Sequence, residues 1–329
     1  MSELLASRCR SSSRTSASQR WWVLAVLCLS LIIVSLDNTI LNVALPTLVR
    51  ALHASSGQLQ WIVDGYMVVF AGLLLSAGSA SDLFGRKWGL TVGLIVFGAG
   101  SALSAISASA DQLIAARCLM GVGGAAIMPA TLSILTLAFP DDRERARAIG
   151  IWSAMTGIGV AVGPVAGGFL LDHFWWGSIF LVNVPVVLVA LLASAVLVEN
   201  SRDPKARPDW LGAGLSTVAL SILMWAIIQA PSSGWTSPEV LVGLAVGLAV
   251  LAGFIHFERR SRHPMLRLGF FANPRFRTAS IATTLMFFTL FGLLFLLTQQ
   301  MQFVLGYSPL AAGVRTVPVA LTLSLIHIS

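Results

Sequence analysis

Charged residues are scarce in this chain: Asp, Glu, Lys and Arg make up 11% of its 329 residues, while hydrophobic residues make up 56%. A soluble domain carries about 25% charged residues, so the soluble globular class is excluded. Cysteine is equally sparse. Cys9 lies in the N-terminal stretch, and Cys28 and Cys118 lie in apolar runs; an odd count without metal-ligand spacing argues against a disulfide framework and against a zinc site. The five histidines (His53, His173, His256, His263 and His327) are far apart and fall in loops or at the ends of apolar runs. They offer no ligand cluster and no nucleophile with its base, so no metal, no cofactor and no enzymatic activity are expected.

What the chain has in abundance is long apolar runs. Segments of about 20 residues, enough to cross roughly 30 Å of hydrocarbon, recur near 21–45, 59–80, 89–108, 113–138, 148–170, 179–198, 211–230, 239–257, 279–303 and 311–328. The expectation is an all-α polytopic membrane protein with ten spans. Only helices or closed barrels satisfy every backbone group in lipid, and these runs lack a barrel's alternation.

Acidic residues number 14 against 21 Lys and Arg, and the basic ones are unevenly placed. Arg8, Arg10, Arg14 and Arg20 precede span 1, Arg86 and Lys87 follow span 2, and Arg143, Arg145 and Arg147 follow span 4. Arg202, Lys205 and Arg207 follow span 6, and Arg259, Arg260, Arg262, Arg267, Arg275 and Arg277 follow span 8, whereas only Arg50 falls on the other side. Basic residues collect in cytoplasmic loops, so the N-terminus is expected inside the cell. The net charge of +7 then reflects topology and not nucleic-acid binding, which needs a basic face on a soluble domain. The Ser- and Arg-rich residues 1–20 read as a disordered tail, and with no A-x-A-like site after the first apolar run, span 1 reads as retained.

Short loops join spans 1–6, while Glu199 to Asp209 and Glu258 to Arg277 are longer polar connectors. They divide the chain into the tail, a six-helix bundle over 21–198, a two-helix insert with its connectors over 199–277, and the start of a second bundle over 278–329. The run from Leu323 to Ser329 ends inside an apolar segment, and a truncated chain is the expectation.

Four local patterns carry chemistry. In Gly78-x3-Asp82-x2-Gly85-Arg86-Lys87, glycines permit close helix approach and a tight turn. Asp82 there can pair with a cation or a helix N-terminus, and Arg86 and Lys87 hold the loop at the lipid surface. In span 5, Gly159, Gly163 and Gly167 recur every four residues and share a helix face, with Pro164 removing a backbone donor beside them. Gly157 and Gly168 widen that ridge, which serves either a gating hinge or ordinary small-residue packing. Arg117 opens span 4 ahead of Gly121, Gly123 and Gly124, and an arginine within a span costs about 2.5–3.5 kcal/mol to insert. A buried pathway role is favoured for it over snorkelling to the outer interface near Asp111. Asp37, in the outer half of span 1, and Asp64, a few residues into span 2, are its two candidate partners, although Asp64 also suits the first turn of a helix. A carboxylate whose solvation and cationic neighbour change with conformation can load and release a proton.

These residues resemble a known family. Leu36-Asp37-x-Thr39-Ile40-x-Asn42-Val43-Ala44-Leu45-Pro46, the Gly78 to Lys87 loop, Arg117 with its glycines, and Gly157 to Gly168 look like four signatures of the major facilitator superfamily. Trp61-Ile-Val-Asp64-x-Tyr66, Phe180-Leu-Val-Asn183-Val-Pro185 and the stretch from Gln300 to Pro318 extend the likeness to its fourteen-span drug:proton antiporter branch, the EmrB/QacA type. The resemblance implies two six-helix bundles around a cavity, separated by two extra helices. It also implies export of amphipathic, often cationic small molecules from a bacterial inner membrane, driven by the proton gradient through alternating access. By that likeness Asp37 and Asp64 assist substrate or proton binding, Arg117 supports proton transfer, and Gly157, Gly159, Gly163, Pro164, Gly167 and Gly168 form the antiporter hinge. Partners implied are the substrate, protons, the lipid bilayer and, for some exporters of this type, a periplasmic adaptor protein. Two departures stand out. Trp176, Gly177 and Ser178 occupy positions where the family often has Trp-Arg-Trp, and the last four spans have no counterpart, which removes the opposite-bundle helix that Asp82 would brace.

Overall fold

The computed structural model describes residues 17–316 apart from 262, 263 and 267. Among these residues nine helices are long and apolar enough to cross a membrane: α1 (Ala17–Leu52), α2 (Ser56–Phe84), α3 (Arg86–Ala105), α4 (Ala110–Ala138) and α5 (Asp142–His173). They continue with α6 (Ser178–Leu197, broken at Val182), α7 (Trp210–Ser233), α8 (Pro238–Arg260) and α9 (Pro274–Gln299). A short π-helical stretch, Gln300–Val304, prolongs α9. Residues 309–316 are helical, so the start of the tenth expected span is seen and its remainder lies outside the described residues, as do residues 1–16. Helix α1 starts inside the stretch read as a disordered tail, because residues 17–20 are helical and Arg20 reaches Glu144 of α5 at 3.6 Å.

Local sequence sets the helix boundaries. Ser55 and Gln58 form a reciprocal capping box at the start of α2, Ser109 caps α4 through Gln112 N–H, and Asp141 caps α5 through Arg143 and Glu144 N–H. These side chains satisfy amides that a helix leaves without partners. Pro238 and Pro274 stand in the first turns of α8 and α9, where a missing N–H costs nothing. Between α2 and α3 the chain turns on Gly85 at φ 130°, a region that side chains avoid.

Helix α4 packs along both α2 and α3, α1 packs along α5, and α6 closes against α1 and α3. Small residues bring the axes together, as expected where lipid supplies no hydrophobic drive between helices. A Cβ on Gly123 would lie 2.5 Å from Phe97 N of α3, and one on Gly121 would lie 2.6 Å from the Tyr66 carbonyl of α2. Helices α7 and α8 pair with one another and lean on α2, where Ser216 Oγ donates to the Gly72 carbonyl at 3.4 Å. Helix α9 touches α1, with Gln302 beyond it donating to the Val43 carbonyl at 2.9 Å. Most of α9 is uncovered, Phe288 being 79% exposed.

Candidate functional site

The deepest polar cluster lies where α1, α2, α3, α4 and α6 converge. Arg117 is fully buried and its Nη1 forms an ion pair with Asp37 Oδ2, Asp37 being 2% exposed. Burial at this depth excludes the snorkelling alternative. Arg117 Nε donates to the Ile62 carbonyl of α2 at 3.1 Å, and the guanidinium carbon stands 4.6 Å from the centroid of the Tyr66 ring. Asp37 Oδ1 accepts from Asn183 Nδ2 of α6 at 3.2 Å. Asn183 Nδ2 also donates to Ser101 Oγ of α3 at 2.9 Å, and Ser101 Oγ donates to the Phe180 carbonyl at 3.0 Å. One carboxylate therefore neutralises the one fully buried arginine among the described residues and is itself held by a polar relay across two more helices. Arg117 Nη2 has no partner among the described residues.

Asp64 does not join this cluster. It is half-buried on α2 and has no hydrogen bond or ion pair among the described residues. Ile62 and Tyr66, four residues apart, present one helix face to Arg117, and residue 64 falls midway between them on the opposite side. Equal depth in the membrane made both carboxylates candidates, and helix rotation selects Asp37. Tyr66 and Asn183 stand in the motifs quoted above with no role at this site read for them, and Ser101 was not singled out from the sequence. The available signal was the cost of burying an amide and a hydroxyl within apolar spans unless each is hydrogen-bonded.

The Gly78 to Lys87 loop is built as a second polar site. Gly78 lies against Pro129 of α4, a Cβ there coming within 3.1 Å of the proline ring. Asp82 Oδ1 accepts from Arg86 Nε at 2.7 Å and from Ser133 Oγ of α4 at 2.9 Å. Asp82 is thus paired within this bundle, with a cation that stands four residues further along the chain. The connector after α6 straps the loop: Arg86 N–H donates to the Ser201 carbonyl at 2.8 Å, and Asp203 N–H to the Asp82 carbonyl at 2.6 Å. Lys87 Nζ donates to the Ala195 carbonyl at 2.7 Å. A side chain at Gly85 would collide with Asn200 of the strap, whose Oδ1 lies 2.5 Å from the Cβ position, besides straining the backbone. Gly85→Ala is expected to cost about 1–3 kcal/mol, read as faster protease cleavage within residues 199–209 of the intact protein.

The glycines of α5 divide into two sides. Gly159, Gly163 and Gly167 face Ser35, Thr39 and Ile40 of α1, the Cβ position of Gly159 being 2.6 Å from Ser35 Cβ. Two cross-helix bonds run beside them, from Thr39 Oγ1 to the Gly159 carbonyl at 3.1 Å and from Ser35 Oγ to the Thr156 carbonyl at 2.8 Å. Gly168 instead lies against the chain after α9, where a Cβ would come 2.5 Å from Leu310 Cα, and Gly157 faces open space. Helix α5 continues unbroken through Pro164, whose carbonyl abuts Gly313.

The apolar bundle thus holds an Arg–Asp pair at its centre, a strapped charged turn between α2 and α3, and a glycine-lined contact between α1 and α5. The model of the family described as Major Facilitator Superfamily matches residues 27–328, and the chain belongs to that family. It is 40% identical over 308 residues to the multidrug efflux pump LfrA of Mycolicibacterium smegmatis, covering 93% of this chain and 61% of that protein. It is 38% identical over 296 residues to the methylenomycin A resistance protein of Bacillus subtilis, covering 90% of this chain and 64% of that one. The chain thus spans under two thirds of the length of these relatives. Among solved structures, tetrameric PepTSo2 shares the fold, with a TM-score of 0.52 at 17% identity over 77% of this chain and 56% of that one. The fold is all-helical, polytopic and of the major facilitator type.

Proposed function

We propose that this protein works as a proton-coupled exporter of amphipathic, often cationic small molecules, of the fourteen-span drug:proton antiporter branch. In this reading it sits in a bacterial inner membrane with its N-terminus in the cytoplasm, and alternating access carries substrate outward. The observation that carries the reading is the buried Asp37–Arg117 pair bridging α1 and α4, with the unpaired carboxylate of Asp64 on the intervening α2. Ionisable groups inside a membrane are costly and mark ion or substrate pathways. The neutral, relayed pair and the carboxylate on the other side of α2 are polar groups whose surroundings change when α1, α2 and α4 move. The α7–α8 pair between the six-helix bundle and α9 supports the fourteen-span assignment. The kinship to a multidrug efflux pump and an antibiotic resistance protein supports export. One proton moved down a potential of 100 mV supplies about 2.3 kcal/mol, enough for a useful outward gradient at one proton per substrate.

Asp64→Asn is expected to abolish pH-dependent efflux of a fluorescent cationic dye from energised cells without reducing membrane insertion. Drug-driven proton release that persists unchanged in this variant and in Arg117→Ala would overturn the reading. A second reading, a dedicated exporter of one metabolite or antibiotic, is favoured by the relative named for methylenomycin A resistance. It is recognised by competition from a single chemical class only.

A further inference from the structure

The α7–α8 pair is seated on α2 along the thickness of the membrane. Near the outer end of α2, a Cβ on Gly57 would lie 3.6 Å from Ile228 Cγ2 of α7. Toward the inner end, a Cβ on Gly72 would lie 2.9 Å from Thr217 Cβ and 3.0 Å from Thr217 Cα, so the two backbones touch there. One turn further along α2, Ser76 Oγ donates to the Asp209 carbonyl at 2.8 Å, just before α7 begins. The facing stretches, 57–76 of α2 and 209–228 at α7, run antiparallel and have equal length. At 1.5 Å per residue each spans about 28 Å, close to the roughly 30 Å of hydrocarbon in a bilayer. Contacts at both ends of such a seam fix register and tilt together.

Helix α8 is close-packed on α7 in turn. A Cβ on Gly247 would lie 2.7 Å from Leu223 Cδ2, and one on Gly243 would lie 3.0 Å from Ala226 Cβ. The connectors on either side of the pair are tied to the same body. Before α7, Asp203 N–H donates to the Asp82 carbonyl of α2; after α8, Met265 Sδ stands 3.4 Å from Ser76 Oγ, and Leu266 N–H donates to Glu258 Oε2 at 3.1 Å. The chain beyond this point is held differently. Ser308 Oγ donates to Asp172 Oδ2 at 3.1 Å, Gln302 reaches the Val43 carbonyl, and Leu310 lies against Gly168, all near the outer ends of α1 and α5. At the other end of α9, residues 274–279 and 281–289 are exposed. Two bodies joined near one end can swing apart by breaking a few contacts, whereas a seam of full membrane length must break throughout.

We propose that α7 and α8 are a fixed part of the first bundle, giving an eight-helix body that moves as one, and that the moving joint lies beyond α8. The joint is the turn Leu268–Ala272, half-buried to exposed throughout. The moving contact is the one between the outer end of α5 and residues 308–313. In this arrangement the insert is a wall of the first body and not a spacer between two bodies. The inference rests on helix packing and is independent of the export reading.

The test compares cross-linking rates at two seams of the full chain in lipid nanodiscs, with Cys9, Cys28 and Cys118 changed to Ala. One double variant carries Gly72→Cys and Thr217→Cys, whose Cβ positions are near the separation a disulfide needs. The other carries Asp172→Cys and Ser308→Cys, bridged by a short bifunctional methanethiosulfonate. Rates are read at acidic and neutral pH, with and without tetraphenylphosphonium as the probe cation. The first rate should stay constant, while the second falls about tenfold wherever the closed fraction drops to about a tenth. A first rate that falls together with the second overturns the proposal. A second measurement decides should the Gly72→Cys variant fail to fold or the second rate stay unchanged. Specific protease sites are placed between Lys205 and Arg207 and within 268–272, and the folded protein is cut at both. The fragment carrying α7 and α8 should co-elute with tagged α1–α6 in mild detergent and be released by Gly72→Leu. Elution of that fragment alone or with α9, or retention unaffected by Gly72→Leu, overturns the proposal.

Discussion

Arg117→Ala is expected to destabilise the bundle by about 3–5 kcal/mol, the cost of leaving a buried charge without its partner. Asp37 is 2% exposed and pairs with no other cation among the described residues; Asn183 holds its second oxygen but brings no charge. The Ile62 carbonyl loses its donor at the same time. The measurement is the unfolding midpoint of the intact protein in a graded series of denaturing detergent. Adding Asp37→Asn to Arg117→Ala should recover a large part of the loss, because the double variant buries no net charge, and the non-additivity measures the pair. A double variant no more stable than the single one would show that the arginine acts through packing on Tyr66 and not through its charge.

Gly163→Leu is expected to be nearly as damaging, at about 2–3 kcal/mol, for a different reason. The Cβ position of Gly163 falls against the Thr39 side chain and 3.3 Å from Ile40 N of α1. Neither backbone can retreat without opening the whole α1–α5 seam, and overpacking of this kind costs about 1–3 kcal/mol even for smaller insertions. The Thr39 and Ser35 bonds to α5 carbonyls would be stretched with it. Gly157, six residues earlier on the same helix, provides the control. Nothing lies within 4 Å of its Cβ position, so Gly157→Ala should be neutral or gain about 0.5–1 kcal/mol of helix propensity. The same detergent unfolding series reads both variants, and equal losses at the two positions would refute the close-packing account. For Gly159, Gly163 and Gly167 a role in helix movement and a role in helix contact are compatible, since a seam of glycines against a smooth helix can slide.

Much of this architecture is legible in the sequence because the bilayer imposes one-dimensional rules. Length and apolarity of each run fix where helices lie, since backbone groups in hydrocarbon must pair within the segment. Ser55, Ser109, Asp141 and the prolines at 238 and 274 mark helix starts by local hydrogen bonding alone. The four-residue spacing of Gly159, Gly163 and Gly167 assigns them to one face before any neighbour is known. Even the presence of a buried ionic site is announced by Arg117 inside an apolar run.

Which groups meet across helices was decided only by the tertiary structure. Depth along the membrane normal can be read from sequence position, whereas rotation about each helix axis is set by packing against several neighbours at once. That rotation brings Asp37 to Arg117 and turns Asp64 away, and it draws Asn183 and Ser101 into the same cluster. It sends Gly168 to a different partner from Gly167 although the two are adjacent in the chain. The sequence by itself determined the class of protein, its helices and the residue types of its site. The pairing of charges needed the assembled bundle, because contacts between residues 80 positions apart depend on distances that no local periodicity encodes.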